Sequence, residues 1–352
     1  MNAPPVTLAL IGAGGIAGSY LAALANNPLV ELVAVVDPRA SAAEAAATPH
    51  GATWHASTAA LLEQQPGVSA AIVCTPPSTH EAIAVELMRA GVHVLCEKPF
   101  SITAESARRM ASTARATGVV LTMGSKFRYV QDVIEARARV LRGEIGEVVL
   151  FENAFTGRVD MSQRWNAVPA ISGGGVLIDN GTHSVDILRY FLGPLAEVNA
   201  VEGKRIQNLP VEDTARLFVR SQTGVMGSVD LSWSLNKELD WYIQVFGSTG
   251  TVQVGWKQSR IKQGTGAWQT FGSGYDKVQA FRGQLQNFAR AIRNEEPLRI
   301  TWEDAVASVD VVEAAYESMN HSRWTGVRSS CPLTSTPRPI GETATHREVV
   351  RA

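Results

Sequence analysis

Residues 6–17 read Val-Thr-Leu-Ala-Leu-Ile-Gly-Ala-Gly-Gly-Ile-Ala. The apolar run predicts a buried strand, and the segment from Ile16 to Asn26 predicts a helix. Between them lies a GxGxx(G/A) pattern, whose glycines allow a tight turn and let the backbone and helix amides approach a pyrophosphate. Asp37 follows 20 residues after Ala17, at the end of a second predicted strand, where a carboxylate can bind ribose hydroxyls. The dinucleotide-binding residues predicted from this stretch are Gly12, Gly14, Gly15, Ile16, Ala17 and Asp37.

The choice of dinucleotide is predicted from two neighbouring side chains. A carboxylate at Asp37 would repel a 2′-phosphate at close range, which favours NAD. Arg39 lies two residues further on and could instead recruit that phosphate, or stack on adenine. NADP therefore stays open as an alternative, and Arg39 is a further candidate for cofactor binding.

The rest of the first half continues the alternation of short apolar runs with helix-like segments. This pattern indicates βαβ units around a parallel, doubly wound sheet of six strands. After Gly146 the rhythm changes to strand-like segments separated by short turns, which predicts antiparallel sheet. The named segments are Glu31 to Val36, Ala70 to Cys74, His93 to Cys96 and Val119 to Thr122 in the first half, and Glu147 to Phe155, Glu197 to Arg205, Thr214 to Arg220, Val225 to Trp233 and Trp241 to Phe246 in the second.

These patterns predict three regions. Residues 1–125 form an α/β Rossmann domain, and residues 126–328 form a substrate-binding and oligomerisation α+β domain, with C-terminal helices that pack back toward the first. A capping box at Thr301 and Asp304 predicts one of these helices. Residues 329–352 are rich in Pro, Thr and Ser and are expected to be disordered.

Composition excludes several kinds of partner. Lys plus Arg is 32 and Asp plus Glu is 33, so the net charge of −1 gives no basic footprint for nucleic acid or an anionic membrane. The amino-terminal apolar run is interrupted by glycines before it is long enough for a membrane span, and it lacks a preceding basic residue. Cys74, Cys96 and Cys331 have no metal-ligand spacing, so we expect reduced thiols, no metal site and a cytoplasmic protein.

Two loops follow predicted strands at the edge where open α/β sheets bind ligands. Thr75-Pro76-Pro77 can lie over a dinucleotide, although the proline pair also suits a rigid turn before a helix. His80, at the start of that helix, is a further cofactor-binding candidate. In Glu97-Lys98-Pro99, the lysine can hydrogen-bond a substrate oxygen and stabilise developing charge, and the glutamate can contact a ribose. A solvated lysine is the other interpretation.

A second polar cluster follows the glycine run Gly173-Gly174-Gly175. Asp179 and His183 are four residues apart and share a face if a helix begins near Asp179; the main helix is predicted from about Thr182 to Phe191. An imidazole can exchange a proton with a substrate hydroxyl, and a carboxylate can orient it. An N-cap aspartate with a core-facing histidine is the alternative.

In this order, the motifs resemble the glucose-fructose oxidoreductase, inositol dehydrogenase and MocA family of nicotinamide-dependent oxidoreductases. The resemblance covers most of residues 5 to 320. It includes the motifs above together with Lys126-Phe127-Arg128-Tyr129 and Gly143-Glu144-Ile145-Gly146.

The resemblance implies a large open sheet in the second domain, often used for oligomer contacts, and hence a homodimer or homotetramer. It implies that His183 is the acid/base, Lys98 the polarising donor, and Asp179 a substrate contact or orienting carboxylate. Asn180 is polar where the family often has an apolar residue. The expected substrate contacts are Lys98, Arg128, Arg164, Trp165, Asp179, Asn180 and His183.

The expected function is an NAD(P)-dependent oxidoreductase that transfers a hydride between nicotinamide and a secondary alcohol or ketone of a sugar, inositol or related polyol. Two alternatives keep the dinucleotide. One is a redox-neutral glycosidase that oxidises its sugar transiently, and the other is a ligand-sensing regulator without turnover.

Overall fold

The computed structural model describes residues 4–25 and 27–328. The predicted disordered tail, with Cys331, lies outside the described residues. Within them the chain builds two sheets, one parallel and one mainly antiparallel. The predicted fold class, an α/β Rossmann domain followed by an α+β domain with a large open sheet, is confirmed.

The first sheet has six parallel strands among the described residues. They are β1 (Val6–Ile11), β2 (Val30–Val36), β3 (Thr53–His55), β4 (Ala70–Val73), β5 (His93–Glu97) and β6 (Leu121–Gly124). Their order across the sheet is β3-β2-β1-β4-β5-β6, so the chain reverses direction of winding between β1 and β4. In sheets of this kind the crevice at that reversal, beyond the carboxyl ends of the strands, is where ligands bind.

Helices cover both faces of this sheet. They are α1 (Ala17–Leu24), α2 (Ala40–Ala47), α3 (Thr58–Gln64), α4 (His80–Arg89) and α5 (Ala104–Thr117). Leu8 and Leu10 of β1 pack with α1 and α2, whereas Ala9 and Ile11 face the opposite core with α4 and α5. Because both faces are buried, β1 is apolar at every position except Thr7 and does not alternate.

The second sheet has nine strands among the described residues, in the order β14-β13-β12-β11-β7-β10-β9-β8-β15. Only the pair β7 and β10 is parallel. The strands are β7 (Val148–Thr156), β8 (Leu195–Glu202), β9 (Thr214–Ser221), β10 (Met226–Ser232), β11 (Trp241–Gly247), β12 (Gly250–Gly255), β13 (Ser259–Gln263), β14 (Gln269–Phe271) and β15 (Thr325–Gly326). Its helices are α6 (Gln131–Leu141), α7 (Pro169–Ser172), α8 (Val176–Leu192), α9 (Lys277–Ile292) and α10 (Trp302–His321).

The last two long helices pack against elements of the first half. Phe281, Leu285 and Phe288 of α9 lie in the same hydrophobic core as α1, while α10 contacts α5, α8 and β8. The capping box predicted for α10 is confirmed, since the Thr301 side chain accepts from the Asp304 amide and the Asp304 side chain accepts from the Thr301 amide. None of the described helices is both long enough and apolar enough to span a bilayer.

Several segments differ from the sequence-based boundaries. The edge strand β3 was not among the named segments, because three residues with only His55 buried give no periodic signal. Strands β12 to β14 were likewise not among the named segments. Helix α8 begins at Val176 instead of about Thr182, so it includes Asp179 and His183 on consecutive turns.

The early start of α8 depends on a buried carboxylate. Glu212 accepts hydrogen bonds from the amides of Gly175 (2.9 Å) and Leu177 (3.0 Å) and from the Tyr316 hydroxyl (2.8 Å). It thereby satisfies amides that have no partner inside the helix. The glycine run makes this approach possible, because a Cβ on Gly175 would lie 2.0 Å from the Glu212 carbonyl oxygen and a Cβ on Gly174 1.9 Å from the Tyr316 hydroxyl.

Gly175→Ala is predicted to reduce the free energy of unfolding by about 2 kcal/mol, because the new methyl group must displace the Glu212 backbone. Urea unfolding followed by circular dichroism measures this change. The matched control is Gly18→Ala in α1, where a Cβ meets nothing within 4 Å. That control should change stability by about 1 kcal/mol or less, in the stabilising direction. Equal stability of both variants would contradict the assigned packing of the glycine run.

Candidate active site

The turn between β1 and α1 has the shape required to hold a pyrophosphate. Gly12 has φ +94°, and a Cβ there would lie 3.0 Å from the Cys74 backbone, so a larger residue would strain and crowd the turn. Gly14 and Gly15 are exposed, and a Cβ on either would meet nothing within 4 Å. Ala17 is buried where α1 packs on the sheet. The turn thus leaves open space beside the N-terminus of α1, which fits a dinucleotide.

Asp37 lies directly after β2 and is nearly buried. It accepts hydrogen bonds from the amides of Ala13 and Arg39, both at 2.9 Å. The Arg39 guanidinium, whose side chain is 66% exposed, folds back onto the same carboxylate, with Nε 3.0 Å from Oδ1. Burial alone would raise the pKa of Asp37, but the hydrogen bonds from Arg39 and Ala13 outweigh burial and lower it. The carboxylate is therefore ionised and held at the position predicted for ribose recognition.

The loop after β4 is tied to the loop after β5. His80 is fully buried, with Nε2 2.8 Å from the Thr75 carbonyl oxygen and Nδ1 3.0 Å from that of Pro99. Pro76 and Pro77 lie between Thr75 and His80, where Pro77 starts a short 3-10 turn. The His80 side chain accordingly positions the two loops and does not face open space as a cofactor contact would.

Glu97 ends β5 and is buried beneath the same edge. It accepts hydrogen bonds from the Tyr20 hydroxyl (2.7 Å) and the Lys98 amide (3.0 Å). Burial raises the pKa of Glu97, and these hydrogen bonds oppose the change. The contact with Tyr20 links the end of β5 to α1, so the cofactor turn and Lys98 are held in one rigid arrangement.

Lys98 and Asp179 form the central ion pair of the site. Lys98 Nζ lies 2.5 Å from Asp179 Oδ1 and 3.2 Å from the Asp179 carbonyl oxygen. Both side chains keep a partly exposed surface, 16% for Lys98 and 18% for Asp179. The pair therefore joins β5 to the first turn of α8 while leaving its charged atoms within reach of a ligand.

His183 follows one turn later on α8 and is almost completely buried. Its ring packs edge-on against Phe127, with ring centroids 5.1 Å apart. Burial lowers the pKa of His183 well below its ordinary value, and the charges of Lys126 and Lys98 lower it further. The imidazole is therefore neutral at pH 7, which is the form that can accept a proton.

The expected Asp179–His183 pair is not formed. Although the two residues share a helix, no hydrogen bond between described residues joins their side chains, because Asp179 turns to Lys98. The partner of His183 is Lys126, whose Nζ lies 3.4 Å from Nε2. Lys126 was quoted in a motif but was not predicted as a site residue. It lies two residues after the end of β6, much as Lys98 follows β5, and the same strand-end argument would have found it.

Arg128, expected to contact substrate, lies elsewhere. It is 4% exposed, and its guanidinium pairs with Asp186 at 2.7 Å and with Asp304 at 3.2 Å. Ser125 Oγ donates to the second oxygen of Asp186 at 2.6 Å. Desolvation of an arginine in a buried position is costly unless it is paired, so these contacts fix Arg128 as a brace between α8 and α10. Together with the Ser125 hydrogen bond, these ion pairs fix the position of the segment that carries Lys126.

The remaining predicted substrate contacts are placed around the start of α8. Asn180 is half-buried beside Asp179. Arg164 and Trp165 are exposed in the loop before α7, and no hydrogen bond or ring contact among the described residues joins either to Lys98, Asp179 or His183. Their role toward a substrate stays a prediction.

An aromatic cluster that the sequence patterns did not reveal extends from His183 toward the surface. Phe127 stacks on Tyr275 at 5.4 Å, and Tyr242 lies 4.4 Å from Trp256, with Phe155 between the two pairs. These residues come from β7, β11 and three connecting segments far apart in the chain, so no local spacing predicts them. Trp256 is 39% exposed and offers a ring face beside the site.

Comparison with known proteins places the chain in a family. Residues 6–125 match the model of an oxidoreductase family with an NAD-binding Rossmann fold, and residues 137–327 match the model of its C-terminal alpha/beta domain. The rhizopine catabolism protein MocA of Rhizobium meliloti is 30% identical over 89% of this chain and 95% of that protein. A scyllo-inositol 2-dehydrogenase (NAD(+)) of Bacillus subtilis is 28% identical over 90% of this chain and 94% of that protein.

A solved structure shares the fold. Levoglucosan dehydrogenase in complex with NADH and levoglucosan superposes with a TM-score of 0.86 at 20% identity, covering 92% of this chain and 99% of that one. The family expected from the sequence motifs is thus confirmed. The chain belongs to the glucose-fructose oxidoreductase, inositol dehydrogenase and MocA family of oxidoreductases, with an NAD-binding Rossmann fold as its first domain.

Proposed function

We propose that the protein is an NAD-dependent dehydrogenase that oxidises a secondary alcohol of a sugar, inositol or related polyol. The observation that carries this proposal is the convergence of Lys98, Asp179 and His183 beside the edge that bears the dinucleotide turn. NAD, when bound by the turn and Asp37, supplies the hydride acceptor. The names of the inositol dehydrogenase and of the levoglucosan complex support a polyol or sugar as substrate.

The side chains of the site have different roles in alcohol oxidation. His183 is neutral and takes the hydroxyl proton at an imidazole nitrogen. The Lys98 ammonium, oriented by Asp179, donates a hydrogen bond to the same oxygen and stabilises the negative charge that develops on it. The buried aromatic rings around His183 keep water away, so these electrostatic interactions are stronger than they would be in solvent.

His183→Asn is predicted to lower kcat by about 100-fold or more, because the amide keeps a similar shape but cannot exchange the proton. Formation of reduced nicotinamide, followed by its absorbance with pooled inositols, polyols and free sugars, measures the rate. The dissociation constant for NAD should stay near the wild-type value. The matched control is His321→Asn at the exposed end of α10, which should retain wild-type turnover.

Equal losses of turnover and NAD affinity in His183→Asn would contradict the assigned role. Glycoside cleavage by the wild-type protein without net reduced nicotinamide would point to the redox-neutral alternative. Dinucleotide binding without turnover of any pool would favour the sensor.

Asp37→Ser is predicted to lower the ratio of kcat/KM with NAD to that with NADP by about tenfold or more, since it removes the charge that repels a 2′-phosphate and releases Arg39 to bind it. Steady-state kinetics with both dinucleotides give the ratio. Arg39→Gln serves as the paired variant and should raise the same ratio, because Asp37 then loses its counterion. An unchanged preference in Asp37→Ser would show that the carboxylate does not select the cofactor.

We also propose a cytoplasmic homodimer or homotetramer that associates through the outer face of the second sheet. The pairing registers of β8, β9 and β10 place Val201, Phe218 and Met226 on this face. Each is at least 40% exposed, although the opposite face of the same strands is buried on α8 and α10. The same face carries the ion pairs Arg216–Asp230 and Arg220–Glu197. A sheet face with exposed apolar residues among charged ones fits a symmetric interface between identical copies.

Phe218→Lys is predicted to shift the protein toward the monomer, because it buries an ammonium in the proposed interface. Sedimentation velocity compares the mass of this variant with that of wild type. Leu141→Lys, a similar change at an exposed leucine of α6 away from the sheet, should leave the mass unchanged. A wild-type protein that sediments as a monomer would refute the proposed assembly.

A further inference from the structure

The site contains a second lysine whose charge has no carboxylate partner. Lys126 lies just after β6, and no ion pair among the described residues includes it, whereas Lys98 is paired with Asp179. Its Nζ contacts His183 Nε2 at 3.4 Å and lies 5.1 Å from the ring centroid of Phe127 and 5.9 Å from that of Phe281. This half-buried ammonium, which contacts two rings and an imidazole, donates its proton toward the imidazole lone pair.

The contact with Lys126 determines which ring nitrogen of the neutral His183 carries the proton. Nδ1 is sealed from solvent and has no hydrogen-bond partner among the described residues. An ammonium donating to Nε2 requires that Nε2 be unprotonated and that the neutral ring carry its proton on Nδ1. The nitrogen that can take a further proton is therefore the one that Lys126 already contacts.

Besides His183, four charged groups act on Lys126. Glu97 and Lys98 lie at the end of β5, Asp179 lies on α8 and Lys277 lies on α9. Burial, together with the charges of Lys98 and Lys277, lowers the pKa of Lys126 to about 8, while Glu97 and Asp179 oppose the change. Within the described part of the chain, the charged groups that lower the pKa of His183 are Lys126 and Lys98, and both disfavour the imidazolium. Lys126 thus changes its charge near neutral pH while His183 stays neutral.

We propose that Lys126 controls when His183 can act as a base: its ammonium occupies the Nε2 lone pair, and loss of a proton from Lys126 frees that lone pair for the substrate hydroxyl. This inference rests on the proposed function. In the step, the hydroxyl O–H bond breaks and an N–H bond forms at Nε2, while the hydride of the carbinol C–H bond passes to the oxidised nicotinamide. The proton of Lys126 has already left to solvent. Lys126 is a positioning residue, since it acts through His183.

The sign of the pH dependence follows. Below about pH 8, Lys126 is charged and the lone pair is engaged, so alcohol oxidation is slow. Above it, Lys126 is neutral and the rate rises to a plateau. A purely structural lysine would affect the height of this profile and leave its midpoint in place.

The first test is the pH profile of kcat/KM for alcohol oxidation. Lys126→Met removes the charge at similar length and should lower the midpoint by about one pH unit or more. Lys126→Arg keeps a charge that is never lost in this range, so its rate at pH 9 should stay about tenfold or more below that of wild type. Lys277→Gln, which removes a different nearby charge, should raise the midpoint slightly. A wild-type midpoint retained in Lys126→Met would overturn the proposal.

The second test needs neither cofactor nor substrate. In the free protein, the Cε1–H proton resonance of His183, assigned with His183→Asn, should shift near pH 8 as Lys126 loses its proton. In Lys126→Met this step should vanish, and the titration of the imidazole itself should move upward toward its ordinary pKa. A step near pH 8 that persists in Lys126→Met belongs to another group and refutes the inference. If no polyol is oxidised, the proposed function fails, but this titration still decides the Lys126–His183 contact.

Discussion

The buried carboxylate of Glu212 determines where α8 begins, and the rest of the site depends on that position. Because it satisfies the amides of Gly175 and Leu177, the helix starts at Val176 and presents Asp179, His183 and Asp186 on successive turns. Burial raises the pKa of Glu212, and the hydrogen bonds from Tyr316 and the two amides oppose the change. Glu212 comes from the segment before β9, so the second sheet itself sets the position of the catalytic helix.

These three turns of α8 contact the segments that follow β5 and β6. Asp179 binds Lys98 at the end of β5, His183 contacts Lys126 after β6, and Asp186 pairs with Arg128 in the same segment. These contacts bring a helix of the second half against the carboxyl edge of the parallel sheet. They also distinguish the two lysines of the site. Lys98 is paired with the carboxylate of Asp179, whereas no ion pair among the described residues includes Lys126. A compensated ammonium can hold an oxygen without a change of protonation, whereas an uncompensated one can respond to pH.

The parts of the site that could be predicted from sequence are the residues that come directly after a strand of the parallel sheet. The glycine turn after β1, Asp37 after β2 and Lys98 after β5 were found because parallel strands bring their carboxyl ends to one edge. The pairing of Asp179 with Lys98 instead of His183 could not be found, because helical spacing gives a shared face but not the partner across it. Arg128 was misplaced for a related reason: its two carboxylate partners are 58 and 176 residues away in sequence. The aromatic cluster likewise depends on contacts between segments far apart. Strands β12 to β14, in contrast, pair with their neighbours along the chain through short connections, and the sequence patterns did not single them out.

The most direct test of the account is a crystal structure of the protein with reduced nicotinamide dinucleotide and a polyol that it oxidises. The account predicts that one substrate oxygen lies at hydrogen-bond distance, about 3 Å, from both Lys98 Nζ and His183 Nε2. Lys98 should remain in contact with Asp179, and the pyrophosphate should lie against the turn at Gly12. A substrate oxygen bound elsewhere, with His183 still enclosed by Lys126 and Phe127, would contradict the assigned chemistry.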